Sequence, residues 1–423
     1  MSRIQDPNAL SIINTLKQKG YEAYFVGGCV RDMLLQKKIS DLDITTSAHP
    51  HQIEELFSNT IGVGAQFGVI IVVLKGINYE VATFRNDGAY IDGRRPVSVE
   101  FSTAKEDVLR RDFTINGILY DPFEDKLIDF VNGQQDLANK CLRAIGNPHH
   151  RFAEDKLRML RAIRFTIRLQ FNLDSETKKA IEQMAGDIIQ VSKERITDEM
   201  EKISTGIMPH KAIKLLQETN LLHAILPHFK NYDNTTFQHI LSMFKAIEGC
   251  EFDTVLAILL AHEGANSQIK EFNFPSDENP KALEYHLKAS KIFNLPNQTL
   301  KNISHIWANL TLFKTYSTKR LALQIRILLN PLFPKALTLL NEWEITHNIK
   351  NPLTPQLKKD FATLKHQQIP ESFLNGTELL ALGCPPGNQI AHIKTELENL
   401  QLEDQIKTKA EAEAYAQKML LKK

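Results

Sequence analysis

The sequence predicts an α/β head on a small mixed sheet, followed by a long all-α remainder. Three observations carry this. Short β-rich runs alternate with helical stretches over the first 150 residues, two runs flank a short polar turn, and strand-like patterns almost vanish from Ala153 onward. Ala9 to Gln18 has the spacing of a helix, Ala23 to Val26 of a strand, Val30 to Gln36 of a helix, Leu42 to Thr45 of a strand and Pro50 to Phe57 of a helix. Val69 to Leu74 and Tyr79 to Phe84 flank Lys75-Gly76-Ile77-Asn78, which is hairpin chemistry. In the helical part, breaks are expected at Gly206 to Pro209, Phe274 to Pro280, Leu295 to Asn297 and Asn351-Pro352, and Glu411 to Lys423 reads as a charged terminal helix.

A chain of 423 residues is too long for one core, so two to four units are expected. With 43% hydrophobic and 24% charged residues the composition is that of a globular protein, and no apolar run approaches the roughly 20 residues of a membrane span. The N-terminus has no apolar core of a signal peptide. Cys29, Cys141, Cys250 and Cys384 are scattered without zinc or disulfide spacing, so a reducing, cytoplasmic setting is expected. A net charge of +1 argues against indiscriminate coating of nucleic acid. Charge is local instead. Residues 151–170 hold six Lys/Arg against Glu154 and Asp155, and residues 301–350 hold seven against Glu342 and Glu344. Such stretches suit a solvated helix face or an RNA track.

The most informative stretch runs from Val26 to Ile44. Gly27 and Gly28 end an apolar run and open a helix, an order that lets backbone amides approach a phosphate, with Arg31 adding charge. Asp41 and Asp43 follow, two apart in a β-branched context. Strand alternation would put both carboxylates on one face, with α-carbons roughly 6.5 Å apart. Carboxylates so placed suit a pair of Mg²⁺ ions about 3.5–4 Å apart, the arrangement of in-line phosphoryl displacement. Glu80, expected on a neighbouring strand, is a third ligand, an outer neighbour or an exposed hairpin charge. Asn86 to Pro96, with two Asp-Gly pairs and the adjacent Arg94 and Arg95, reads as a long functional loop. Arg110 and Arg111 are adjacent arginines entering an apolar helix, where both are rarely buried without partners. The connector from Leu127 to Pro148, with Gly133 and Gly146, suits a hinge. Asp155, Arg158, Arg161 and Arg164 recur every three residues and share half the circumference of one helix, offering an acceptor and forked donors to a base edge.

Gly-Gly-x-Val-Arg-Asp, Asp-x-Asp, Arg-Arg-Asp-Phe-Thr-x-Asn, Glu-Asp-x-x-Arg-x-x-Arg and the Ser192 to Met200 stretch occur here in one order. In that order the chain resembles the class II tRNA nucleotidyltransferases (CCA-adding enzymes) and bacterial poly(A) polymerases, of the DNA polymerase β superfamily. The resemblance covers about residues 20–205. It implies a polymerase β-like nucleotidyltransferase head at 1–148, a helical neck with a nucleotide-selecting helix at 149–205, and a helical RNA-binding body at 206–340 and tail at 341–423. It implies metal binding by Asp41 and Asp43, and nucleotide contacts by Gly27, Gly28, Arg31, Arg111, Asp112 and Asn116. Asp155 and Arg158 would serve as the template for the incoming base, with Arg161 and Arg164 supporting base or phosphate. Ser192 to Met200 would brace the template helix.

The expected activity is template-independent addition of CCA to the 3′ end of tRNA, with CTP and ATP as substrates, Mg²⁺ as cofactor, and no membrane or obligate protein partner. A poly(A) polymerase, or an enzyme adding only CC or only A, shares these motifs. The Tyr79 to Arg85 run, the Asp-Gly loop and the compact tail favour CCA addition. A non-catalytic RNA-binding protein would have lost one carboxylate of the pair, and both are present. His262 is followed by Glu263, so a His-Asp phosphohydrolase site is not expected.

Overall fold

A computed structural model describes residues 4–64, 67–87, 99–247, 249–261, 293–346, 350–364 and 368–421. Arg94, Arg95, His262 and the expected break at 274–280 lie outside the described residues. The chain forms two compact units, Met1–Asn231 with Ile292–Asn294, and Tyr232–Lys291 with Leu295–Lys423.

The first unit opens with α1 (Pro7–Gln18), β1 (Ala23–Val26), α2 (Gly28–Leu34), β2 (Asp43–Thr46), α3 (Pro50–Leu56), β3 (Thr60–Gly64), β4 (Val69–Leu74) and β5 (Ile77–Thr83). It continues with the ribbon strands β6 (Arg85–Asp87) and β7 (Val99–Phe101), then α4 (Ala104–Leu109), β8 (Ile118–Asp121), β9 (Lys126–Asp129) and α5 (Gly133–Ala138). Seven strands make a mixed sheet in the order β3-β4-β5-β2-β1-β8-β9, with β2 and β5 parallel and the other pairs antiparallel. The expected mixed sheet and helical remainder are both present. The strands β3, β8 and β9 were not legible. Glycines interrupt β3, and Ile118 to Asp121 is buried throughout, so it shows no alternation.

Strand periodicity divides the cores. Phe25, Ile44, Ile70, Val72 and Val81 pack with Ile12, Ile13 and Leu16 of α1 and Ile53 of α3. Val26 and Leu119 turn the other way, onto Val108 of α4. Helix α1 starts where Asp6 accepts from the Ala9 amide at 2.8 Å and Pro7 takes the first turn. The hairpin between β4 and β5 turns at Lys75 and Gly76, both at positive φ, which matches the strand twist.

A short parallel pair, β10 (Cys141–Leu142) and β11 (Asn172–Leu173), brackets α6 (Pro148–Glu154) and α7 (Leu157–Leu169). Then come α8 (Ser175–Met184), α9 (Lys193–Ser204), α10 (Pro209–Glu218) and α11 (Leu221–Ile225). The unit's two halves are tied through residues 109–116. Phe113 bridges Ala144, the Thr114 amide donates to the Arg143 carbonyl at 3.0 Å, and the Ile145 amide donates to the Asp112 carbonyl at 3.1 Å. Arg110 and Arg111 follow the end of α4 and do not enter a helix, because a 3₁₀ turn at Thr114–Asn116 leads directly into β8.

The second unit is helical wherever it is described, with helices Asn234–Ala246, Phe252–Ala261, Asn297–Phe313, Leu321–Leu328, Phe333–Thr346 and Leu353–Leu364. Helices Gly376–Ala381, Asn388–Leu402 and Lys409–Leu421 share a separate core around Leu374, Leu397 and Ala412. Breaks at Gly206 to Pro209, Leu295 to Asn297 and Asn351-Pro352 match the sequence expectation. No described helix is long and apolar enough to cross a membrane.

Gly133 is a packing position in the expected hinge. A Cβ there would lie 2.2 Å from the Thr114 carbonyl oxygen and 2.8 Å from Ile118 Cγ1. Gly133→Ala is therefore expected to cost about 1–3 kcal/mol in a urea melt through overpacking. An unchanged midpoint would show that α5 shifts freely and that the junction is loose.

Candidate nucleotidyl-transfer site

Gly27 leaves β1 at φ 77, ψ −132, a conformation that strains any residue with a Cβ. An added Cβ would also meet Asp43 Oδ2 at 3.4 Å and Arg111 Nη1 at 3.9 Å. Because the chain turns away here, the β1 ladder ends at the pair Val26 and Asp43. Asp41 therefore precedes the strand. The expectation that strand alternation aligns both carboxylates is corrected: Asp43 is the first residue of β2, and Asp41 approaches from the preceding loop, accepting from Ser40 Oγ at 2.9 Å. Both nevertheless line one cleft of about 470 Å³.

Gly27, Gly28, Arg31, Arg111, Asp112, Asn116, Asp155, Arg158 and Arg161 line the same cleft, as do Phe165, Arg168 and Arg195. Two expected site residues do not. Glu80 is in register opposite Asp43 on β5 and is exposed there. Arg164 turns to the buried Glu199 of α9, to which its Nε donates. Among the described residues, no three His, Cys, Asp or Glu side chains form a group able to hold a metal. The pair Asp41 and Asp43 stands as a two-carboxylate arrangement.

A polar chain crosses the cleft wall. Arg31 is 4% exposed; its Nε and Nη2 donate to Asp32 at 2.8 and 3.0 Å, and its Nη1 donates to Asn116 Oδ1 at 2.8 Å. Asn116 Nδ2 donates to Asp112 Oδ1 at 3.0 Å, and Asp112 Oδ2 accepts from Arg161 Nε and Nη2 at 3.0 and 2.6 Å. Burial opposes ionisation of Asp112, but the Arg161 charge, hydrogen bonds from Asn116 and Arg161, and Arg158 further off outweigh it and hold its carboxyl at about 2. Arg31, Arg161 and Arg164 surround the Phe165 ring at 5.4, 5.4 and 4.4 Å from its centroid.

Asp107, fully buried, holds the other arginine pair. Arg110 Nε and Nη2 donate to its Oδ1 at 3.0 and 2.5 Å, and Arg111 Nε and Nη2 to its Oδ2 at 3.3 and 2.8 Å. Burial opposes this carboxylate's charge too, yet the two guanidinia lower its pKa. Asp43 shifts upward, chiefly by burial and then by the charge of Glu80, against the opposing Arg111, with Asp41 adding to the rise. Cys29 beside it donates to the Val26 carbonyl at 3.1 Å, and burial pushes its thiol up to about 12, so it stays protonated near neutral pH.

The expected single helix through Asp155 and Arg164 is interrupted. Helix α6 ends at Glu154, Asp155 is extended at φ −142, ψ 103, and α7 begins at Leu157. The reason is local capping: Asp155 Oδ1 accepts from the Leu157 amide at 3.1 Å, and its Oδ2 accepts from Arg195 Nη2 at 2.8 Å. Arg158, 8% exposed, donates to Glu154 Oε2 at 2.6 Å and to the carbonyls of Arg151 and Arg110 at 3.0 and 3.1 Å. Asp32, Asp107 and Phe165 escaped the sequence reading. Asp107 had a signal, since its spacing of three and four to Arg110 and Arg111 is that of helix-surface ion pairs.

Residues 23–143 match the poly A polymerase head domain, and residues 170–233 match a probable RNA and SrmB-binding site of polymerase A. A CCA-adding enzyme of Bacillus velezensis is 38% identical over 280 residues, which cover 65% of this chain and 70% of that protein. The chain belongs to the class II CCA-adding enzyme family. A family member from Geobacillus sp. strain WCH70 is 50% identical over 227 residues, 53% of this chain and 56% of that protein. The chain spans about half the length of several curated relatives it matches. Over the whole fold, the Bacillus stearothermophilus CCA-adding enzyme crystallised with CTP superposes with a TM-score of 0.75 at 30% identity, covering 98% of each chain.

The paired state of Asp112 predicts a pH effect of definite sign. Its folded pKa lies below the ordinary aspartate value, so its contribution is complete above about pH 4 and is lost as pH falls toward 2. Urea melts should find Asp112→Asn about 2–3 kcal/mol less stable at pH 7, with the gap narrowing below pH 4. A gap that widens on acidification contradicts the pairing.

Proposed function

We propose that this chain is a template-independent nucleotidyltransferase that adds CCA to the 3′ end of tRNA, using CTP and ATP and releasing pyrophosphate. The observation that carries the reading is one cleft with Asp41 and Asp43 on one wall and Asp155 and Arg158 on another. Family membership supports it. The four cysteines are free thiols, which suits a cytoplasmic site of action.

Asp41 and Asp43 would hold divalent metal, taken here as Mg²⁺. They fit such an ion: both offer hard oxygen donors, and burial together with the neighbouring Glu80 and Asp41 leaves Asp43 short of positive charge. Bound there, the metal supplies activation of the RNA 3′-hydroxyl and neutralisation of charge on the leaving phosphates. The chain's own groups do the positioning. Gly27 keeps the wall bare beside Asp43, so a phosphate can approach the backbone of Gly28. Asp107 fixes Arg111 by two of its nitrogens, leaving the guanidinium edge near Gly27 to meet phosphate. Arg31, Asn116 and Asp112 set the floor between triphosphate and base.

Asp155 and Arg158 would read the Watson–Crick edge of the incoming base. A carboxylate accepts from the exocyclic amine of cytosine or adenine, and a guanidinium donates to ring nitrogen or carbonyl oxygen. Neither side chain is loose: Arg195 steadies Asp155, and Glu154 steadies Arg158. Such preorganisation keeps the recognition edge fixed while the base changes.

Purified chain incubated with tRNA lacking its 3′ CCA and with CTP, ATP or both should add C, C and then A, read by sizing the products. An unbounded A tail would contradict the proposal in favour of poly(A) synthesis. Asp43→Asn should lower incorporation at least about a thousandfold, which is roughly 4 kcal/mol of barrier, and should abolish the rise in melting temperature that millimolar Mg²⁺ gives the parent. Retained activity would remove the metal assignment. Arg158→Ala should relax the choice between CTP and ATP; an unchanged choice would remove the base-reading role.

A further inference from the structure

Among the described residues seven arginines line the cleft, and six of them are committed. Arg31 is held by Asp32, Arg110 and Arg111 by Asp107, Arg158 by Glu154, Arg161 by Asp112 and Arg195 by Asp155. Arg168 alone has no side-chain acceptor among the described residues. It also borders a second cavity of about 510 Å³, walled by Ile167, Lys202, Ile203 and Ile207. Lys202 likewise has no side-chain acceptor among the described residues, and Ile207 is 42% exposed on a short link after α9. The two cavities thus share Arg168 in their walls, and the outer one sets two cations that lack a side-chain acceptor among the described residues beside apolar side chains.

We infer that this outer groove seats the single-stranded 3′ end of the RNA substrate, with Arg168 and Lys202 on backbone phosphates and Ile207 under a ribose or base. The inference rests on the nucleotidyltransferase reading above and assigns residues to its second substrate. A cation for which the fold supplies no anion takes one from a ligand at little desolvation cost, and a phosphodiester strand presents anions in series beside apolar ring faces. The position argues against the triphosphate. Arg168 lies ten residues beyond Arg158 on α7, about 15 Å at the helical rise, whereas Asp43, Gly27 and Arg111 meet at the opposite wall. Lys202, Ile203 and Ile207 also fall within the span that matches the RNA-binding family model.

The test uses the full chain and tRNA lacking CCA, comparing Arg168→Ala, Lys202→Ala, the double variant and Arg168→Lys. Each loss of charge should raise the KM for RNA about fivefold and reduce the salt slope of RNA binding by about 0.7. The KM for CTP, the choice of C over A and the melting temperature should stay at parental values, and Arg168→Lys should restore most of the RNA affinity. Unchanged RNA KM and salt slope in the double variant would overturn the inference. So would a raised CTP KM with constant RNA KM, which would place Arg168 on the triphosphate. Filter binding of the same RNA separates this claim from its premise. If the parent binds RNA through Arg168 and Lys202 but adds no nucleotide, the activity reading fails and the groove stands. If the parent adds CCA and the variants bind RNA as it does, only the groove fails.

Discussion

The buried carboxylate of Asp112 is the constraint on which the site's geometry depends. It accepts from the Phe113 amide at 2.8 Å, from Asn116 and twice from Arg161. A buried charge with its lone pairs filled is tolerated, whereas one left unpaired costs several kcal/mol. Asp112 therefore dictates where Arg161 sits, and with it the first turns of α7. The segment that carries Asp112 is itself gripped by the residues around Ala144 and by Arg158, so sheet and helix are registered through one short piece of chain.

Around this point the cleft solves a problem of charge. Arginines gathered in one cleft would repel one another if left bare, and six of them are matched to five carboxylates, Arg110 and Arg111 sharing Asp107. The carboxylates come from the turn of α2, the end of α4, the break between α6 and α7, and the start of β8's 3₁₀ lead-in. The Phe165 ring lets three guanidinia approach one another over a π-surface. Asp43 differs, since burial and the charges of Glu80 and Asp41 outweigh that of Arg111 and raise its pKa, which is the imbalance that the cation of the proposed function would relieve.

Much of this was legible in residue order. The glycine turn, the spaced aspartates and the arginine-rich neck were visible because each requires particular residue types at short spacing. What was not legible came from tertiary context. Asp155 looked helical by periodicity, yet its side chain caps the next helix and breaks the run. Arg164 shared the spacing of its neighbours but turns to Glu199, thirty-five residues away. Asp41 looked like part of a strand whose ladder stops two residues later, because Gly27 takes its partner strand out of register. Strand β8 was hidden by uniform burial, and β9 by its half-buried position at the sheet edge, where the sequence read as a connector.

On the proposed function, the wall of Asp41 and Asp43 and the wall of Asp155 and Arg158 work as one site because Asp112 registers them. Single-turnover incorporation of CTP and ATP by Asp112→Asn measures this directly. The rate for both nucleotides should fall, and discrimination between them should fall with it. A variant that loses rate but keeps parental discrimination, or keeps both, would show that the two walls are positioned independently and would contradict their coupling through Asp112.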